Sequence, residues 1–345
     1  MSLKLKPIDQ QVIAITGATS GIGLVTARMA ASRGAKLVLV ARDDAALAEL
    51  VSEIEAAGGE AYAIAADVGD PEAVARVARH AVARFGRIDS WVNNAGVAIY
   101  AKLVDTPFDE HERLFRTNYF GVVNGCAAAV PHLREQGGAL ITVASIAAGM
   151  PSPLMGAYAA SKHAVKGYID TLRGELLQEG APISVTLIQP SGIDTPVAEH
   201  ASNHVGGKAR IPPLVYDPTL VAEAILDAAT RPMRGVTVGG AGKAQVLFAQ
   251  HAPALFDRVA AIGSALFVDP TKNQPRPDNL FAPAHDGVER SRDQSGKGFS
   301  LYTAAMRHPA TTLALGAALA GAGIWWSRKD GEAATPREYG RAGAA

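Results

Sequence analysis

The chain has 345 residues, of which 48% are hydrophobic and 19% are charged, a balance that excludes an intrinsically disordered protein. Its 33 basic residues equal its 33 acidic residues, so no net charge indicates nucleic-acid binding. The single cysteine, Cys126, excludes an internal disulfide and a thiolate zinc cluster, and it favours a reducing intracellular setting.

Seven short apolar runs alternate with helical stretches between residues 11 and 240, a pattern typical of a parallel sheet covered on both faces. The predicted strands are 12–16, 37–41, 61–66, 90–93, 139–144, 183–188 and 236–238. The sequence therefore predicts an α/β protein with a doubly wound, seven-stranded parallel sheet of Rossmann type and a C-terminal helical extension. No apolar run precedes the first strand, so we expect no secretory signal and a cytoplasmic catalytic domain.

A glycine-rich turn follows the first predicted strand and leads directly into an apolar helix. Its glycines permit a tight turn and a close approach of a pyrophosphate, which the helix N-terminus attracts. The alternative is a plain strand-to-helix turn, but its place in the first βαβ unit favours a dinucleotide site. The residues of this candidate site are Gly17, Thr19, Ser20, Gly21, Ile22 and Gly23.

The second predicted strand ends at Ala41 and is followed by Arg42, where NAD(H)-binding proteins place an acidic residue for the ribose 2′-hydroxyl. An arginine there forms a bidentate pair with a 2′-phosphate, so the sequence favours NADP(H) over NAD(H). The alternative is a solvated surface arginine, and the acidic Asp43 and Asp44 that follow weaken the preference.

Tyr158 and Lys162 lie four residues apart on a predicted helix and share one face. We expect the lysine ammonium to lower the pKa of the tyrosine, which makes the phenol useful as an acid or base. Ser145 ends the fifth predicted strand, at the sheet edge where α/β proteins bind ligands. The alternatives are an incidental surface pair and a capping serine. Asn118, within the predicted helical stretch 108–130, carries no information alone.

Together these residues resemble the short-chain dehydrogenase/reductase family over roughly residues 9–240. The matching positions are Thr16-Gly17-x-x-x-Gly21-x-Gly23, Asp67, Asn93-Asn94-Ala95-Gly96, Asn118, Ser145, Tyr158-x-x-x-Lys162, Pro190, Ile193 and Thr195. The resemblance implies an oxidoreductase that forms a homo-oligomer. In its active site, Tyr158 would be the acid/base and Ser145 would orient the carbonyl or alcohol. It further implies that Lys162 binds the nicotinamide ribose and tunes Tyr158, and that Asn118 holds a water in a proton relay.

The same resemblance implies the other cofactor contacts. Asp67 and Val68 would lie near the adenine, Asn94, Ala95 and Gly96 behind the ribose, and Ile193 and Thr195 at the carboxamide. Pro190 is a further cofactor contact that the resemblance implies. One departure is that Pro190 is followed by Ser191 before Gly192, where the family commonly has Pro-Gly.

Substrate selection is expected in the loop after Ser145 and in the stretch after Thr195. The apolar residues there are Ile146, Met150, Pro151, Pro153, Leu154, Met155 and Val197. They favour an apolar carbonyl or alcohol, and simple loop packing is the alternative. His200 and His204 lack a third ligand nearby, so no metal site is predicted.

The predicted organisation is a dehydrogenase domain over 9–245, a helical extension over 246–268, a polar linker over 269–307 that buries little, a helix over 308–329 and a polar tail over 330–345. Residues 310–326 carry no charge and end in Trp325 and Trp326, which favours a membrane anchor over a helix docked on the enzyme or used in oligomer contacts. An alternative function is a non-enzymatic dinucleotide-binding protein whose tail recruits a partner or a membrane.

Overall fold

Seven parallel strands form the central sheet of the computed structural model, which describes residues 3–274, 278–284, 287–308 and Thr312. The strands are β1 (Val12–Thr16), β2 (Lys36–Ala41), β3 (Glu60–Ala65), β4 (Ser90–Asn93), β5 (Gly138–Val143), β6 (Ile183–Pro190) and β7 (Gly235–Val238). Each lies within two residues of its predicted bounds. The order β7-β6-β5-β4-β1-β2-β3 reverses at β1, which confirms the doubly wound prediction. Ligands of such sheets bind at the carboxyl ends of the strands beside this reversal.

Helices cover both faces of the sheet. The α-helices of the described residues are α1 (Gly21–Ser32), α2 (Asp44–Ala56), α3 (Pro71–Phe85), α4 (Phe108–Phe115), α5 (Gly121–Gln136), α6 (Gly156–Gln178), α7 (Thr219–Thr230), α8 (Gly240–His251), α9 (Pro253–Gly263) and α10 (Leu301–Arg307), and six of them cover the sheet. Apolar side chains of α1, α2 and α7 form one buried cluster, and those of α3, α5 and α6 form another. Strand β1 contributes side chains to both clusters, because Ile13 and Ile15 lie in the first and Val12 and Ala14 lie in the second. Burial on both faces explains the continuous apolar runs that identified the strands.

The segment after α9 is where the structure departs most from prediction. Residues 278–284 and 287–300, here called the strap, pack on the enzyme domain and belong to the same compact unit, which extends to Thr303. Only Leu280 and Ser300 of the strap are buried, but the strap contacts the enzyme domain, which its prediction as a linker did not include. Hydrogen bonds carry much of the attachment: Asp194 accepts from the backbone of Ser291 and Gly296, and Lys297 N–H donates to the Val215 carbonyl at 2.9 Å. Composition does not reveal such bonds.

The candidate membrane segment, 310–326, lies outside the described residues apart from Thr312. Within the part of the chain that the structure describes, every helix is too short or too polar to cross a membrane. The predicted domain boundaries beyond the enzyme domain therefore stay predictions.

Candidate functional site

The glycine-rich turn joins β1 to α1 at the carboxyl edge of the sheet. Gly17 has a φ of +67°, and a Cβ there would lie 2.8 Å from the Cα of Ala95. A Cβ at Gly23 would overlap the carbonyl of Gly17. Only glycine fits these two positions, and the close packing brings the N-terminus of α1 to the cavity floor.

Polar side chains hold this turn against the end of β4. The Thr16 hydroxyl accepts hydrogen bonds from the backbone N–H groups of Asn94 (2.9 Å) and Ala95 (3.1 Å). The Asn94 amide donates back to the carbonyls of Thr16 (3.0 Å) and Gly17 (3.2 Å). Sequence reasoning did not assign a role to Thr16, which fixes the turn and the neighbouring Asn94–Gly96 loop together.

Ser145, Tyr158 and Lys162 come together at one cavity. Ser145 follows β5 and caps a short 3₁₀ turn by accepting from the Ala147 N–H at 3.1 Å. Tyr158 and Lys162 lie one turn apart on α6, with the lysine Nζ 5.6 Å from the tyrosine ring centroid. Lys162 is buried, and its ammonium donates to the Val143 carbonyl at 3.2 Å. The strand end and the helix thus place a hydroxyl, a phenol and an ammonium together.

Burial governs the pKa values of this cluster. It raises the pKa of Tyr158, and a hydrogen bond with Ser145 opposes the rise only in part. Burial also lowers the pKa of Lys162 to about 8. The prediction that Lys162 brings the pKa of Tyr158 below its ordinary value was wrong for this structure, because the apolar surroundings disfavour the phenolate as well as the ammonium.

Asn118 lies behind the cavity wall and is fully buried. It belongs to a π-helical turn, Arg116–Phe120, that separates α4 from α5 where a single helical stretch was predicted. The side-chain oxygen of Asn118 accepts a hydrogen bond from the Val97 N–H at 2.8 Å. Its side-chain nitrogen donates to the Val97 carbonyl at 3.0 Å and to the Ser161 hydroxyl at 3.2 Å. π turns are rare within helices, and those that occur are frequently found at functional sites.

The main cavity has a volume of about 280 Å³ and apolar walls. It brings together predicted cofactor residues from the glycine turn, the Asn94–Gly96 loop and the Pro190–Thr195 stretch. Of the predicted substrate residues, Ile146, Met150, Met155 and Val197 line it, whereas Pro151, Pro153 and Leu154 do not. The structure adds lining residues that local sequence did not single out, namely Tyr100, Ile211, Leu214, Gln245, Phe267 and Asn279.

A second cavity of about 90 Å³ adjoins the first at the ends of β2 and β3. Arg42, Asp67 and Val68 line it, as expected for an adenosine pocket, together with Thr19 and Ser20 of the turn. Burial raises the pKa of Asp67, but hydrogen bonds from Gly69 (2.9 Å) and Arg113 (2.6 Å) outweigh it and hold the pKa low. The carboxylate is therefore ionised, and no motif in the sequence identified Arg113 as its partner.

The strap enters this second cavity, which Asn279, Pro283 and Ala284 also line. The Arg42 guanidinium donates to the carbonyls of Asn279, Leu280 (3.1 Å), Phe281 (3.3 Å) and Ala282 (3.5 Å). Backbone bonds tie the strap to the glycine turn as well, since Gly21 N–H donates to Val288 (2.9 Å). Arg42 therefore lies at the end of β2, as predicted, and its guanidinium contacts the strap.

His200 and His204, the pair considered as metal ligands, have different surroundings. His200 lines the main cavity, whereas His204 contacts Glu110 at 2.9 Å and Ser202 at 3.2 Å. Among the described residues, no three His, Cys, Asp or Glu side chains are placed to hold a metal ion.

Comparison with known proteins agrees with this geometry. The sequence model of the short chain dehydrogenase family matches residues 11–206. The chain belongs to this family. An uncharacterized oxidoreductase of Bacillus subtilis, YxnA, is 41% identical over 324 residues, which cover 92% of this chain and 91% of that protein. The sequence similarity to YxnA therefore extends well beyond residue 206, where the match to the family model ends.

Two solved structures share the fold at 25% identity. One is an alcohol dehydrogenase from the archaeon Thermococcus sibiricus complexed with 5-hydroxy-NADP, with a TM-score of 0.59 over 66% of this chain and 96% of that chain. The other is a short chain dehydrogenase/reductase from Burkholderia phymatum in complex with NAD, with a TM-score of 0.62 over 79% and 99%. Membership of the short-chain dehydrogenase family makes this chain an oxidoreductase with a nucleotide-binding fold.

Proposed function

We propose that the protein transfers a hydride between NADP(H) and an apolar carbonyl or alcohol. The observation that carries the proposal is the placement of Ser145, Tyr158 and Lys162 on one apolar cavity whose floor is the glycine-rich turn. A cofactor-binding floor and an acid/base group in one cavity are what such a reaction requires.

The residues present fit a nicotinamide dinucleotide. The close packing at Gly17 and Gly23 places the N-terminus of α1 at the cavity, where a helix N-terminus attracts a pyrophosphate. We expect Asp67 and Val68 at the adenine, Asn94, Ala95 and Gly96 behind the ribose, and Pro190, Ile193 and Thr195 at the carboxamide. Arg42 is the candidate partner of a 2′-phosphate. When bound, the reduced nicotinamide supplies the hydride.

The protein's own groups handle the proton. Tyr158, whose raised pKa keeps it protonated at neutral pH, donates its proton to the carbonyl oxygen, and the Ser145 hydroxyl donates a hydrogen bond to the same oxygen. The nearby Lys162 ammonium stabilises the phenolate that remains. Asn118 Oδ1 and Lys162 Nζ lie 3.4 and 3.7 Å from the position that a Cβ on Gly96 would take, which supports a water relay between them. Oxidation follows the same path in reverse.

The cavity walls favour an apolar substrate. Ile146, Met150, Met155 and Val197 lie beside the acid/base group, and Phe267 and Ile211 extend the apolar surface. A carbonyl beside an alkyl or aryl group buries its apolar part there and gains roughly 25 cal/mol per Å² of apolar surface. We therefore expect NADPH consumption with apolar aldehydes and ketones and much slower consumption with charged ones. Equal rates across a panel of both kinds would contradict the assignment.

Replacing Arg42 with aspartate is expected to reverse the cofactor preference. The guanidinium is lost and a carboxylate repels the 2′-phosphate, so kcat/KM for NADPH should fall about tenfold to a hundredfold relative to that for NADH. The measurement is kcat/KM with both cofactors at one fixed substrate. Arg33→Asp is the matched control, since Arg33 is exposed at the end of α1 and away from both cavities. An unchanged ratio in Arg42→Asp would assign Arg42 no role at the cofactor.

Membrane association and a homo-oligomeric state stay predictions from the sequence. If residues 310–326 bind a membrane, deletion of residues 308–345 converts a protein that sediments with membranes into one that stays in the supernatant. The measurement is fractionation by ultracentrifugation, with a soluble marker enzyme as control. A full-length protein that remains in the supernatant would remove the anchor proposal.

A further inference from the structure

The strap and the proposed 2′-phosphate require the same donors. The Arg42 guanidinium donates hydrogen bonds to four consecutive strap carbonyls, from Asn279 to Ala282. A guanidinium presents its donors in one planar fork, so a phosphate binds it bidentately only where those donors are available. The docked strap and a 2′-phosphate therefore compete for Arg42.

We propose that residues 278–284 of the strap determine cofactor specificity by lowering the affinity for NADP(H) relative to NAD(H). This inference rests on the proposed dinucleotide site. NAD(H) carries a hydroxyl in place of the 2′-phosphate and does not need the Arg42 guanidinium, so its binding does not compete with these carbonyls. Binding of NADP(H) requires release of the strap from Arg42, so its apparent Kd equals the intrinsic Kd divided by the fraction of molecules in which the strap is released.

One side chain anchors this part of the strap. Leu280 is fully buried and packs in a cluster with Val97, Ile99, Leu114 and Ala157. Its carbonyl also accepts from Arg113 Nε at 3.0 Å, so the same residue joins the strap to both arginines. The neighbouring Phe281 side chain, by contrast, is 56% exposed. The anchor can thus be weakened without altering any proposed cofactor contact.

The rest of the strap is held independently. Arg290 pairs with Asp217 at 2.8 Å, and Gln294 exchanges two hydrogen bonds with the backbone of Ile211. Asp194 is buried and accepts from Ser291 and Gly296. Release of residues 278–284 therefore leaves 290–297 in place, and those amides serve as an internal reference.

The first test measures Kd by isothermal titration with NADPH and with NADH for wild type, Leu280→Ala and the control Phe281→Ala. We expect Leu280→Ala to lower the Kd for NADPH at least about tenfold, with a smaller change for NADH and no change in Phe281→Ala. Equal effects on both cofactors, no effect, or weaker NADPH binding in Leu280→Ala would overturn the inference. If wild type and Leu280→Ala bind neither cofactor, the dinucleotide assignment falls with it. If wild type and Leu280→Ala bind NADPH with the same Kd, the dinucleotide assignment stands and only the strap inference falls.

A second test uses wild type alone, so that it does not depend on the folding of a variant. Hydrogen exchange is measured with and without NADPH or NADH, and the Asn279 amide, which donates to His200 at 2.9 Å, reports on the strap. We expect NADPH to accelerate exchange in 278–284 while the amides of Ser291, Gly296 and Lys297 stay protected. Slower exchange with NADPH would mean that the strap closes over the cofactor, and this would overturn the inference.

Discussion

Replacing Tyr158 with phenylalanine is expected to lower kcat by about a hundredfold to ten-thousandfold, the usual contribution of a positioned acid/base group. The ring keeps its packing, but the phenol that gives its proton to the carbonyl oxygen is lost. Because the change removes one hydroxyl and no proposed contact to a phosphate, the Kd for NADPH should change little. The measurement is steady-state kcat with an apolar ketone, alongside a titration of cofactor binding.

Tyr168→Phe is the matched control for this prediction. Tyr168 lies on the same helix, ten residues further on, and its ring packs edge-on against Tyr119, away from both cavities. Loss of its hydroxyl should leave kcat unchanged. A Tyr158→Phe enzyme that is as active as wild type would refute the mechanism. A wild-type protein that binds NADPH but never turns over would support the non-enzymatic alternative.

Replacing Lys162 with methionine is expected to abolish most activity while stabilising the fold at neutral pH. The buried ammonium has a pKa of about 8 in the folded state against 10.5 ordinarily, a shift equivalent to about 3 kcal/mol. The folded state binds fewer protons than the unfolded state between these values. The penalty is therefore complete below about pH 8 and disappears as the pH approaches 10.5.

Methionine removes this penalty, so urea denaturation at pH 7 should give a higher free energy of unfolding for Lys162→Met than for wild type. The difference should shrink by pH 10. The matched control is Lys166→Met, one turn along α6, where a partly exposed ion pair with Asp170 at 2.8 Å contributes less than about 1 kcal/mol. If the free energy of unfolding of Lys162→Met exceeds that of wild type by the same amount at pH 7 and pH 10, burial of the ammonium does not destabilise the fold. Unchanged kcat would remove Lys162 from the mechanism.

Much of the fold follows from local sequence because the sheet is buried on both faces. Strands such as Val12–Thr16 and Ser90–Asn93 appear as short apolar runs bounded by turn residues, and their predicted bounds agree with the structure. The π turn at Arg116–Phe120 was not predictable, because an asparagine within a helical pattern indicates a solvent-facing position. Tertiary packing against Val97 and Ser161 buries Asn118 there.

The candidate site was predictable where motif spacing and the sheet edge coincide, as for Ser145 and Tyr158. Phe267 and Ile211 reach the cavity only through the chain's path after β6, which no local pattern encodes. The strap was mistaken for a linker because polar groups and one leucine hold it in place, and its polar composition resembles that of a solvated segment. The direction of the Tyr158 pKa shift was missed for a related reason, since burial is a tertiary property.

The most direct test of the central claim is the transfer of deuterium to an apolar ketone from NADPH that carries deuterium at both positions of the nicotinamide C4 carbon. We expect mass spectrometry to find one deuterium on the carbinol carbon of the alcohol product with wild type, and at least about a hundredfold less labelled alcohol in the same time with Tyr158→Phe. Labelled alcohol formed equally by both proteins, or cofactor consumption without labelled alcohol from wild type, would contradict the proposed hydride transfer at Ser145, Tyr158 and Lys162.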